Sequence, residues 1–306
     1  MDGTKLIEQL ASNIVGVPPV PPRTEVIALR QHSLDELEER ARRFLDATGE
    51  AYSLPFNHRD WTIQNNRTFI RMPFGARAII YHASGAMKLV NRFKPMESLF
   101  NKLEERGNLI ELVEKTANQL KIYEGLGQNE SLRFERLWQI KAAAVSRQGQ
   151  TVDPVLCRVV GAYRHFVGEL PVWGAASVAI KLAGEGELDS LTIQIRQTTD
   201  KVVDRVEILR PEQAARQVFL QLSHLMRDSK VPVSEIIKPR GLRFGYLSLP
   251  KRKAQRVLAP VYIATIDIEG QEEAQAYQFV VPATEKTYLP LPAGSEALPS
   301  PQRRVG

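Results

Sequence analysis

Cysteine occurs once in these 306 residues, at Cys157, which excludes an internal disulfide and a cysteine-based metal site. Within the apolar run VLCRVV that thiol reads as a small buried hydrophobe rather than a reactive centre. No stretch approaches the roughly 18 uninterrupted apolar residues of a membrane helix. The opening MDGTKLIEQLASNIVGVPPVPP has neither a basic n-region nor a continuous apolar h-region. A chain complete as written is therefore expected in the cytoplasm, and one from which a leader was removed is expected outside it.

Catalytic signatures are also scarce. The five histidines, His32, His58, His82, His165 and His224, form no H-E-x-x-H pair, and no nucleophile stands beside a recognisable base. HRDW at residues 58–61 lacks the asparagine spacing and the glycine-rich loop of a kinase and reads as a strand edge or turn. GEGE at 184–187 joins two strand patterns and carries acids that would repel phosphate, so it reads as a turn. No cofactor and no metal is implied.

What is present is ordinary for a soluble globular chain: 43% hydrophobic and 25% charged residues, with a net charge of +6. The calculated pI near 9.4 permits an anionic partner without demanding one. Leu6, Ile7, Leu10 and Ile14 share one side of a short amphipathic helix, which VPPVPPR stops as a stiff spacer. Val26, Ala28 and Leu29 suggest a strand. Ser33 and Glu36 form a capping box ahead of Leu34, Leu37, Ala41, Phe44 and Leu45 at helical spacing, with Gly49 as the stop. Glu36, Glu38 and Glu39 beside Arg40, Arg42 and Arg43 read as i,i+4 pairs.

Alternating strands are expected from Tyr52 to Val90, then helix from Pro95 to Tyr123, divided at Gly107. A second alternating region spans Leu132 to Gln197. Pro211 opens a helix with an apolar stripe at Ala214, Val218, Leu222 and Leu225, and strands follow to about residue 290. This order implies an α+β architecture in which a unit, a helix laid on one face of a mainly antiparallel sheet, is used more than once. The expected divisions are an N-terminal segment with its proline spacer (1–23), a first unit with a helical connection (24–130), a second unit (131–290) and a disordered tail (291–306).

The most informative stretch is GAYRHFVGELPVWGAASVAIKL, beginning at Gly161. Tyr163, His165 and Val167 point to one face, and Arg164 and Phe166 to the other. Gly168-Glu169 suits a two-residue type II′ turn with glycine first. Pro171, without an amide hydrogen, belongs at an edge or a non-bonded position, and Gly174 signals a bulge or the close approach of another backbone.

Tyr163, Phe166, Val167, Leu170, Pro171, Val172, Trp173 and Gly174 follow without a gap the strand pair of the fungalysin/thermolysin propeptide and its PepSY-like relatives, and the segment resembles that module. It departs by placing glycine first in the turn, which exchanges a type I′ for a type II′ turn in the same register. ILRPEQAARQVF is similar to the PepSY helix start, and LRFGYLSLPKRKAQRVLAPVYIATIDIEG to the closing strands. The resemblance implies a noncatalytic role as an intramolecular chaperone or inhibitor, or as a binding domain.

The leading expectation is a noncatalytic protein- or peptide-binding module whose contact is made by Tyr163, Arg164, Glu169 and Trp173 at a sheet edge. For Trp173, packing in the core or between units is the plainer reading. Lys251, Arg252, Lys253 and Arg256 in PKRKAQR would steer acidic partners, against the plainer reading of a solvated loop. The alternatives are an enzyme or small-molecule binder using a cleft between units, and a nucleic-acid binder relying on the basic loop. Oligomeric state is left open.

Overall fold

A computed structural model describes the chain apart from residues 1, 2, 16–18, 55, 57, 92–98, 101–104, 144–150, 152, 176, 229–235, 270–273, 292–297 and 300–306. Along the chain it contains α1 (Gly3–Ser12), β1 (Arg23–Leu29), α2 (Leu34–Ala51), β2 (Asp60–Gln64), β3 (Arg67–Arg71), β4 (Arg77–Tyr81), β5 (Ala86–Val90) and α3 (Arg106–Gln119). There follow β6 (Glu130–Ala142), β7 (Val155–Val167), β8 (Leu170–Trp173), β9 (Val178–Leu182), β10 (Leu188–Ile193) and β11 (Thr198–Glu207). The C-terminal part is α4 (Pro211–Asp228), β12 (Ile236–Leu247), β13 (Val257–Leu258), β14 (Pro260–Glu269), β15 (Ala274–Pro282) and β16 (Leu298–Pro299). The architecture is α+β with antiparallel-rich sheets.

α2 forms where the capping box predicts it: Glu36 N–H donates to Ser33 Oγ and Ser33 N–H to the Glu36 carboxylate. Leu37, Ala41, Leu45 and Thr48 recur every three or four residues and are buried, so one stripe of the helix lies in the core. The expected stop at Gly49 comes slightly later, with Tyr52 as C-cap. Gly49 keeps an ordinary φ, and its carbonyl accepts from Leu54 N–H. Of the expected charge pairs on the outer face, Arg43 meets Glu39 at 3.3 Å, whereas Glu36 pairs instead with Arg30 before the helix, at 3.0 Å. α3 begins at Arg106 and has Gly107 in its first turn; most of the helix expected before it lies outside the described residues.

α2 and α3 share one core with the sheet β7-β9-β10-β5-β4-β3-β2. Leu45, Ile80, Leu89, Leu109, Val113, Tyr163 and Ile180 all belong to it. Gly161 of β7 makes the helix packing close, since a Cβ there would lie 2.2 Å from Val113 Cγ1. β10 pairs with β5, so the boundary expected at 130/131 falls inside a single core.

A second core lies under α4 and α1, with Leu6, Leu10, Ala214, Val218 and Leu222 packed against Phe244 and Tyr262 of β12 and β14. The N-terminal segment, expected to stand apart, is thus part of the C-terminal body. Ile14 bridges to Leu242, and Asn13 Nδ2 donates to the Arg240 carbonyl. β1 also reaches the far end of the chain, pairing with β11 and β13 in a three-stranded sheet.

β8 joins the two bodies. It pairs antiparallel with β7 and parallel with β12, merging their strands into one large sheet. β11 is a strand that sequence patterning did not mark, because Val202 and Val203 are adjacent instead of alternating. Cys157 is half-buried rather than buried. Of the tail expected to be disordered, Leu291 and Leu298–Pro299 lie among the described residues, and the latter pair with β15.

Candidate functional site

The β7–β8 hairpin turns at Gly168, whose φ of +57° opens the turn, while Glu169 keeps a negative φ. This is the pattern of a type II′ turn. Beyond it, Gly174 (φ +123°) sits where a Cβ would be 2.5 Å from the Ser248 carbonyl oxygen. Ser248 N–H donates to the Trp173 carbonyl at 2.8 Å, so the close approach comes from the strand path that follows β12.

Three of the four residues expected to meet a partner are packed inside. Tyr163 is fully buried and meets Phe134 and Tyr123 edge to face, with ring centroids 5.6 and 6.2 Å away. Burial, with Tyr123 and Glu114 nearby, pushes its phenol well above the usual tyrosine range. Arg164 donates to the carbonyls of Val172 and Ala175, each at 3.2 Å, and pairs with Glu135 at 2.7 Å. Trp173 is 8% exposed. Its Nε1 donates to the Phe244 carbonyl, and the Arg164 and Arg243 guanidinium groups lie 5.2 and 4.8 Å from its ring centroid. Burial first, and then the Arg164 charge, lowers the Arg243 pKa. Glu169 alone is exposed, and it pairs with Arg133 at 3.0 Å. The hairpin's edge is closed because β12 pairs with β8, and Trp173 shares a buried cluster with Val26 and Leu289 from other segments.

The basic loop is held by its backbone. Buried Arg196 donates to the carbonyls of Leu249, Pro250 and Lys253 and to that of Ala83. Ser84 Oγ donates to the Lys251 carbonyl at 2.7 Å, and buried Gln255 bonds Leu247, Leu249 and Val257 main-chain groups. With these carbonyls turned inward, Arg252, Lys253 and Arg256 are exposed, while Lys251 lies over the Tyr81 ring at 4.6 Å. Sequence reasoning missed Arg196 and Gln255 as the anchors. An arginine closing the apolar alternation of LTIQIR was the only signal for the first.

β6 carries the longest edge near these features. It pairs with β7 from Glu130↔Val167 to Ala142↔Val155, and its other side has no partner strand among the described residues. Trp138 and Ile140, two residues apart and so on one face, are 44% and 42% exposed. Arg136 lies 5.6 Å from the Trp138 ring centroid. Neither Arg136 nor Lys141 has an ion-pair partner among the described residues. A bulge at Glu135 offsets the register between Phe134 and Arg136.

At the opposite end of β6 the Glu130 carboxylate is buried beside His165, 3.6 Å away. It accepts from Gly127 N–H and from both N–H and Oγ1 of Thr198. Burial on its own would raise the Glu130 pKa, but His165 and these donors outweigh it and hold the pKa at about 2.

Among the described residues no helix is long and apolar enough to cross a membrane, and no group of three or more His, Cys, Asp or Glu could hold a metal ion. No family model and no curated protein matches the chain. Among solved structures it is similar to an uncharacterized protein from Eubacterium rectale, with TM-score 0.56 and 11% identity over 95% of this chain and 99% of that one. At this identity the likeness concerns the fold alone. The C-terminal domain of YpeB from Bacillus megaterium matches with TM-score 0.31 and 12% identity, over 84% of this chain and 95% of that one.

Proposed function

We propose that this chain is a noncatalytic binding protein, built from tandem units akin to PepSY and propeptide modules, that takes up an extended acidic segment of a partner protein along the edge of β6. The observation that carries the reading is the unpaired side of β6 with Trp138 and Ile140 exposed next to each other. An added strand would satisfy the open N–H and C=O groups of that edge, and main-chain bonding of this kind supplies affinity while side-chain contacts supply selectivity. Trp138 and Ile140 would meet alternate apolar side chains. Lys141, on the opposite face and without an acid of its own, favours an acidic residue at an intervening position, while Arg136 shares the face of Trp138 and lies over its ring. Lys251, Arg252, Lys253 and Arg256 would raise the encounter rate with such a partner. Bound in this way, the chain would act on its partner as an inhibitor or chaperone.

The test is a binding titration with three labelled ten-residue peptides: one alternating valine with glutamate, one alternating valine with lysine, and the acidic peptide interrupted by proline. The acidic peptide should bind, and both I140K and K141E should weaken it at least tenfold. Equal binding of the proline-interrupted peptide would overturn strand addition, because proline removes the donors that the edge requires.

A further inference from the structure

Where the end of β1, the β4–β5 turn and the segment after β10 meet, a cavity of about 40 Å³ opens. At ~10–15 Å³ for each water, that is room for about three waters or one compact anion. Arg30, His32, His82, Arg196 and Gln197 contribute to its lining, and no aspartate or glutamate does.

Two buried donors in this lining lack acceptors. Arg196, 6% exposed, gives its Nη hydrogens to main-chain carbonyls, but its Nε–H has no partner. The guanidinium has no ion-pair partner among the described residues, and burial lowers its pKa to about 10. The His32 side chain is 8% exposed, and its Nε2 lies 3.0 Å from Arg40 Nη1. A guanidinium can only donate, so Nε2 accepts and the ring proton sits on Nδ1. That Nδ1–H has no partner within hydrogen-bond distance, since the Glu36 carboxylate oxygen is 3.8 Å away and the Gln197 side chain interacts with the ring only weakly, the smallest of the influences on it. Burial, followed by the Arg40 and Arg30 charges, lowers the His32 pKa against the opposing pull of Glu36 and Gln197, which agrees with a neutral ring.

We propose that this cavity binds one compact carboxylate, with Arg196 Nε–H and His32 Nδ1–H as its donors. A buried charge without a counter-charge and two orphan donors are each costly. A single bound carboxylate removes all three penalties, because its two oxygens can accept both hydrogens while its charge offsets the guanidinium. The exposed cations Lys253 and Arg256 lie in the loop whose carbonyls Arg196 holds, and they raise the local concentration of anions. The site is separate from the β6 edge and does not depend on the reading given to it.

Thermal unfolding of the full chain at matched ionic strength tests this with sodium formate, sodium chloride and sodium benzenesulfonate, whose anion is too large for the cavity. Formate should raise Tm by about 2 °C or more in a saturable manner, and benzenesulfonate should not. His32→Phe should remove the formate-specific rise, as should Arg196→Gln. Because Arg196 also anchors the loop, His32→Phe decides alone if the arginine variant fails to fold. A chloride response equal to that of formate would overturn the carboxylate assignment. A formate response unchanged in His32→Phe, or no difference among the three salts, would show that the cavity holds water only.

Discussion

The indole Nε1 of Trp173 donates to the carbonyl of Phe244 at 2.8 Å, at the place where β8 and β12 run parallel and the two halves of the large sheet become one. Gly245, next in β12, leaves room for the ring, since a Cβ there would lie 2.7 Å from the same Nε1. The indole belongs to one buried cluster with Val26, Leu247 and Val261, so this cluster draws on β1, β8, β12 and β14 together.

Trp173→Ala should therefore lower unfolding stability by about 3–5 kcal/mol, the range for emptying a large aromatic site. Trp173→Phe keeps most of the apolar contact and leaves the Phe244 carbonyl without its donor, at about 1–3 kcal/mol. Urea unfolding of both variants checks the order.

The glycine in the hairpin turn, Gly168, and the one just beyond β8, Gly174, should respond differently to alanine. Gly174 combines a φ of +123° with a backbone oxygen 2.5 Å from the added Cβ, whereas Gly168, at +57°, has nothing within 4 Å. Gly168→Ala should cost about 1 kcal/mol, from conformation alone. Gly174→Ala should cost at least about 2 kcal/mol, from strain and steric overlap together. Denaturant midpoints of the two variants measure the difference.

Acid should weaken the fold through Glu130. Its pKa is depressed from 4.5 in the unfolded chain to about 2 in the folded one, so its stabilisation is complete above about pH 5 and is lost as pH falls through the folded value. The contribution is on the order of 3 kcal/mol. Glu130→Gln should be less stable than the parent at pH 7, with the gap closing toward pH 2. Guanidinium unfolding at a series of pH values follows it.

Trp138→Ala should leave stability within about 0.5 kcal/mol, because the side chain is exposed on an edge strand, while lowering affinity for the acidic peptide. Charge reversal at Arg252, Lys253 and Arg256 should instead slow association and flatten its dependence on salt. Stopped-flow binding at two ionic strengths, alongside unfolding curves, separates the two effects.

Local chemistry makes several elements legible in the sequence alone. Ser33 and Glu36 announced α2 because a capping box satisfies backbone donors within four residues. Gly168 set the turn, and the alternation through Ile70, Ile80 and Leu89 marked strands with one buried face. Other features rest on distant partners. β11 carries Val202 beside Val203 and is held by pairing with β1, some 170 residues earlier. Trp138 was visible within a strand pattern, but nothing nearby in sequence indicates whether another strand lies outside β6.

Caps, turns and periodicity act over a few residues, so α1, α2, α4, most strands, the register of the β7–β8 hairpin and the α+β class can be read from the chain alone. Which bodies those elements form depends on contacts between segments far apart in the chain. α1 packs beside α4, and β5 pairs with β10, so the boundary drawn at 130/131 does not divide the cores. Arg164 and Trp173 face inward for the same reason. A period of two assigns side chains to opposite faces of a strand, but what lies beside and over it is set by where the rest of the chain returns: here β12 closes the edge of β8, and Val26 and Leu289 join the cluster around Trp173.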